Sequence, residues 1–168
     1  VSPDLPDLDA PAGDLAFLLG VLFNQQIRAE TAWKGPMRLA ERLTRSPGLS
    51  GLDAAVLAVA DPVWLAQVMR QPPAVHPFAT SMARHVTGIC GQLVDDYGGR
   101  ARNVWAGEPR AAVLLARLTG FPGIGRHKAG VAIVLLAHEY GVPLTGPADS
   151  ITDQALSSCP RLREVLVT

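Results

Sequence analysis

Leu118-Thr119-Gly120-Phe121-Pro122-Gly123-Ile124-Gly125-Arg126-His127-Lys128-Ala129 places a Pro-Gly-apolar-Gly turn between two segments that both read as helices. Upstream, Pro109 reads as a first-turn proline, and Leu114, Leu115 and Leu118 recur at helical spacing until Gly120 stops the helix. Downstream, residues 126–140 are apolar almost all round, with Ala129, Val131, Ile133, Leu135 and Leu136, which predicts a buried helix. The arrangement is a helix-hairpin-helix. Gly123 and Gly125 carry no Cβ, so the turn can take unusual backbone angles and another backbone, a phosphodiester included, can come close. The second helix opens with unpaired N–H groups at its positive dipole end, suited to a phosphate, and Arg126 and Lys128 add charge there. The whole string, rather than a lone Gly-x-Gly, points to nucleic-acid backbone binding over a plain inter-helical turn.

Outward from the hairpin, the rest of the chain reads as helix. Asp14 is placed to cap a first apolar helix over residues 15–23, which breaks at Asn24-Gln25-Gln26 before a second helix over 28–44, interrupted at Gly35-Pro36. Short helices are predicted over 53–60 and 62–70, the latter with Asp61 as cap and Pro62 at its first position. Pro72-Pro73 and His76-Pro77 mark a rigid loop, residues 78–97 a long helix stopped by Gly98-Gly99, and a short helix begins near Asp149. Strand-like alternation is scarce, so the expected class is all-α.

Composition sets the bounds. At 168 residues and 48% hydrophobic, the chain is long enough for one compact core. There is no run of roughly eighteen apolar residues and no signal-like start, which predicts an intracellular, soluble protein with no membrane partner. The first residue is Val rather than Met, which suggests a trimmed or processed chain. Formal net charge is zero, against a general DNA-coating role, but residues 100–128 hold Arg100, Arg102, Arg110, Arg117, Arg126 and Lys128 against Glu108 alone. That run could form a local basic face or simply solvate helix exteriors. Cys90 and Cys159 fit no zinc or iron–sulfur spacing, and Cys90 shares a helical phase with Val86, Leu93, Val94 and Tyr97.

The order of these parts resembles the helix-hairpin-helix-GPD superfamily of base-excision-repair DNA glycosylases, which includes endonuclease III and adenine DNA glycosylase. The resemblance covers roughly residues 15–155: the segment around Asn24-Gln25-Gln26, the long helix, and the hairpin followed by Asp149. It is similar to a bacterial branch without an iron–sulfur cluster. It implies a two-lobed helical fold, with residues 15–141 forming a six-helix barrel that contains the hairpin at 119–126. Residues 1–14 and 142–168 would form a small second lobe. Such enzymes bend lesion-bearing duplex DNA and extrude the target nucleotide into a cleft. A monomer working on the bacterial nucleoid in the cytoplasm is implied.

By the same resemblance, Gln26 is the wedge that fills the vacated base position, with Asn24 beside it, and His76 and Phe78 probe the strand. Gly123, Gly125, Arg126 and Lys128 hold phosphate. Family members that also cleave the backbone place a Lys two residues after the second hairpin glycine, where its amine forms a Schiff base. His127 stands there, so the expected enzyme is a monofunctional glycosylase with His127 lining the pocket. Lys128, about 100° further round the helix, is expected to point away from the cleft. Asp149 matches the catalytic aspartate, whose carboxylate opposes the developing oxocarbenium charge, with Asp153 one turn later as the fallback. The resemblance also implies a monovalent cation, K+ or Na+, on the carbonyls of Thr119, Phe121 and Ile124, with no cofactor required. The competing expectations are a non-catalytic DNA- or lesion-binding module on the same hairpin and a helical protein-interaction domain.

Overall fold

The computed structural model describes residues 4–24, 29–146 and 149–158, and these are all-α. Eight helices follow in order: α1 (Gly13–Phe23), α2 (Ala29–Arg45), α3 (Ala54–Ala58), α4 (Pro62–Arg70), α5 (Ala79–Asp96), α6 (Ala111–Thr119), α7 (Arg126–Val134) and α8 (Asp149–Ser158). A 3-10 turn, Ala101–Val104, precedes α6, and α7 runs on into a π-helical turn, Leu135–Glu139.

α1 is the central helix, because apolar side chains circle it and neighbours cover it on every side. Only Ala16 among its residues escapes full burial, and α2, α5, α7 and the 3-10 turn pack around it. Phe17 gathers much of the sparse aromatic content: its ring stacks on Trp33 and meets Trp105 and Tyr140 edge-on, with centroids 5.4 to 5.7 Å away. α3 and α4 lie on α5, α6 lies on α7, and α8 covers α7 from the other end of the chain. One apolar core runs through all of this, from Leu5 to Ala155.

Two glycines let α1 and α2 approach closely. A Cβ on Gly20 would sit 2.2 Å from the Trp33 ring, and one on Gly35 would sit 2.8 Å from the Phe23 ring. That packing explains a difference from the sequence expectation at Gly35-Pro36, where α2 continues without a break. Pro36 forgoes one helical hydrogen bond, but the Gly35 contact with buried Phe23 holds the segment in place. Gly20→Ala is expected to destabilise the protein by ~2 kcal/mol, since overpacking outweighs the better helix propensity of alanine. A lower urea midpoint at unchanged m would show it.

Several other boundaries depart from expectation. α1 begins at Gly13 behind Ala12, whose φ of 59° is left-handed, so Asp14 does not cap it. The buried Asp14 carboxylate instead accepts the Arg102 N–H at 3.0 Å and lies 3.5 Å from the Arg100 guanidinium. Pro109 likewise stands outside α6, with Arg110 in the capping position. α4 and α5 begin and end within a residue or so of their predicted limits, and Asp61 caps α4 by accepting the Val63 N–H at 3.0 Å.

Candidate functional site

The hairpin turn sits in a notch between α1 and α5. Gly123 has a φ of +79°, and a Cβ there would lie 2.7 Å from the Leu22 side chain and 2.9 Å from the His85 ring. Pro122 packs on Gly88 of α5, where a Cβ would come within 2.9 Å of its ring. Glycine is required at 123 by both conformation and space. Gly125 is different. Its backbone, φ −89° and ψ −176°, suits any residue, and among the described residues a Cβ there would meet nothing within 4 Å. Packing among the described residues therefore does not require glycine at 125, and none of them fills the space beyond it.

Gly125 caps α7 without any side-chain hydrogen bond of its own, and its backbone opens the helix at its positive dipole end. Gly125, Arg126 and His127 are all exposed. Arg126 and His127 also line a groove of about 260 Å³ with Leu115 of α6 and Ile151, Gln154 and Ala155 of α8. A second groove, sharing Leu115, Arg126 and Ile151, extends along Thr119 and Ser150. The hairpin and the first turns of α8 thus bound one continuous surface, mostly apolar, with a guanidinium and an imidazole at its edge. α7 and α8 are held close at Gly130, where a Cβ would meet that of Ala155 at 3.3 Å.

Asp149 is the first residue of α8, rather than its cap, and so enters the structure beside this surface; its side chain lies outside the described residues. Asp153 is exposed and lines neither groove. Gln26 lies outside the described residues. Asn24, half-buried, closes α1 with φ −73° and ψ 67°.

Two expectations are corrected. His76 is fully buried and cannot probe a strand: its Nε2 is 2.9 Å from the Phe23 carbonyl, and its Nδ1 accepts the Phe78 N–H at 3.0 Å. Because Nδ1 accepts, the proton sits on Nε2, which donates to Phe23. Lys128 does not present its ammonium to phosphate. Nζ donates to the Leu22 carbonyl at 2.7 Å and to the Gly123 carbonyl at 3.1 Å. Burial pushes the lysine below its usual pKa, and the neighbouring His85 is lowered too, by burial and by the Lys128 charge.

Nor does the basic run form one face. Arg100 and Arg102 turn to Asp14, and Arg117 donates to the Val104 carbonyl at 3.0 Å. His85 went unnoticed in the sequence, although His85 and Gly88, three residues apart, mark one face of α5 prepared for a close neighbour.

The carbonyls of Thr119, Phe121 and Ile124 lie in the turn that leaves the negative end of α6. Phe121 O accepts a long 3.3 Å bond from the Ile124 N–H. Neutral oxygen donors of this kind fit a monovalent cation. Among the described residues, no group of three or more His, Cys, Asp or Glu could hold a metal ion, and no helix is long and apolar enough to cross a membrane. Cys90 is buried, which pushes its thiol up to about 12, and Cys159 lies outside the described residues. Compared by sequence with known proteins, the chain matches no family model and no curated protein.

Proposed function

We infer that this chain is a monofunctional DNA glycosylase of the helix-hairpin-helix-GPD type, hydrolysing the N-glycosidic bond of a flipped damaged or mismatched base in duplex DNA. The observation that carries the reading is Gly125: a glycine that packing against the described residues does not require, opening α7 with no side-chain hydrogen bond of its own, beside a groove bounded by His127 and α8. A phosphate oxygen can take the place a Cβ would fill. Gln26, three residues after α1 in the sequence, fills the vacated base position, and the Asp149 carboxylate opposes the positive charge that builds on the sugar. Bound at the turn, K+ or Na+ would sit on the carbonyls of Thr119, Phe121 and Ile124 and add positive charge next to phosphate. The enzyme acts as a monomer on lesion-bearing duplex DNA in the cytoplasm, at the nucleoid.

His127 cannot supply the amine of a lyase, and Lys128 Nζ is engaged by two carbonyls. Borohydride added to enzyme acting on a lesion duplex is therefore expected to trap no covalent DNA adduct. An adduct that disappears in Lys128→Ala would transfer nucleophilic chemistry to that lysine. Binding to undamaged duplex should weaken steeply as salt rises, because phosphate contacts release counterions. Affinity independent of salt would remove DNA as the partner, and release of free base from a lesion duplex tests the activity itself.

A further inference from the structure

The last two carbonyls of α1, which have no partner further along the helix, are both taken by side chains from distant parts of the chain. Lys128, in the first turn of α7, holds Leu22 O, and His76, from the loop before α5, holds Phe23 O. Lys128 also holds Gly123 O, so a single ammonium joins the hairpin turn to the end of α1. The two are in direct contact, since Gly123 has no room for a Cβ against Leu22. A lysine on an open surface keeps its ammonium hydrated while its stem covers apolar groups. Lys128 is half-buried, and the carbonyls it reaches include one at the negative end of a helix dipole, which offsets its lost hydration. α1 is followed by Asn24, Gln26 comes two residues later in the sequence, and α2 begins at Ala29.

We propose that Lys128 is a positioning residue: by tying the hairpin turn to the last turn of α1, it sets the offset between the phosphate-facing amides of α7 and the end of α1, the helix that Gln26 follows in sequence. This rests on the glycosylase reading for the role of Gln26, but not for the tie itself. The consequence is a separation of binding from base opening. Lys128 contributes nothing to the count of phosphate contacts, yet base opening depends on it.

The test uses the full chain, a lesion duplex with 2-aminopurine beside the lesion, and the variants Lys128→Met and Lys128→Arg. Each phosphate contact adds about 0.9 to the slope of log affinity against log salt. Lys128→Met is expected to keep the wild-type slope and to hold Kd within about twofold, while the opening signal at saturating protein falls about tenfold, as expected for losing charged hydrogen bonds. Lys128→Arg, which keeps charge and donors, should recover part of that signal. A slope lower by about 0.9 with opening intact would make Lys128 a phosphate contact and overturn the proposal. Binding and opening falling together, in proportion to a lower melting temperature, would reduce it to general stability and overturn it too. Should the wild-type chain bind no duplex, the glycosylase reading fails and the tie is decided without DNA. Hydrogen exchange at Asn24 and Ile124 should then be faster in Lys128→Met and slower again in Lys128→Arg. Exchange unchanged at both positions would overturn the tie.

Discussion

Asp149→Asn is expected to lower the single-turnover rate of base excision by about a hundredfold, equivalent to ~3 kcal/mol of transition-state stabilisation, while most duplex affinity remains. The amide keeps the size and some of the hydrogen bonding of the carboxylate but loses the charge that opposes the oxocarbenium-like sugar. Stability has to be followed alongside, because Asp149 opens α8 and a carboxylate in a first turn contributes roughly 0.3–1 kcal/mol through the helix dipole. A melting temperature close to wild type separates lost chemistry from a loosened helix. Asp153→Asn is the matched control: Asp153 is exposed and lines neither groove beside the hairpin, so its rate should stay near wild type. Full excision by the Asp149 variant would defeat the assignment, and loss confined to Asp153 would move the catalytic role one turn along.

Gly125→Val is expected to cost about ten- to a hundredfold in duplex affinity, the range for losing a hydrogen bond to a charged group, with the fold intact. The substitution is clean because valine can adopt the extended backbone at 125 and its Cβ meets none of the described residues. The added methyls occupy the space through which a phosphate would reach the α7 amides. Gly123 offers no such test. Its left-handed φ and its contacts with Leu22 and His85 mean that a side chain there would disturb the packing of the hairpin before any ligand arrived. Unchanged affinity in a Gly125→Val protein of native helicity would remove the phosphate-binding role of the turn.

The contrast between these glycines shows what was legible in the sequence. Pro122, Gly123 and Gly125 announce a tight turn between helices, and the apolar phases of α4 and α5 locate those helices well, because turns and periodicity are written locally. Which glycine serves the fold and which leaves space outside it depends on neighbours from α1 and α5 that no local pattern names. The same holds for the charged groups. Asp14 looks like a helix cap until Arg102, 88 residues away, is brought to it, and Lys128 looks like a phosphate ligand until Leu22, 106 residues away, lies beneath it. His76, flanked by prolines, reads as a surface probe, yet its ring fills the space between Phe23 and Phe78. Residue type and helical phase identified polar groups with work to do near the hairpin. Long-range packing decided whether each one faces solvent or ties segments together.

The decisive measurement is the release of free base from a panel of duplexes that each carry one lesion or mismatch, with strand breaks scored before and after alkali. A monofunctional glycosylase gives free base and alkali-revealed breaks on at least one duplex, no breaks before alkali, and loses both products in Asp149→Asn. Salt-dependent binding across the panel with no base released from any duplex would contradict catalysis and leave a helix-hairpin-helix module that only binds DNA.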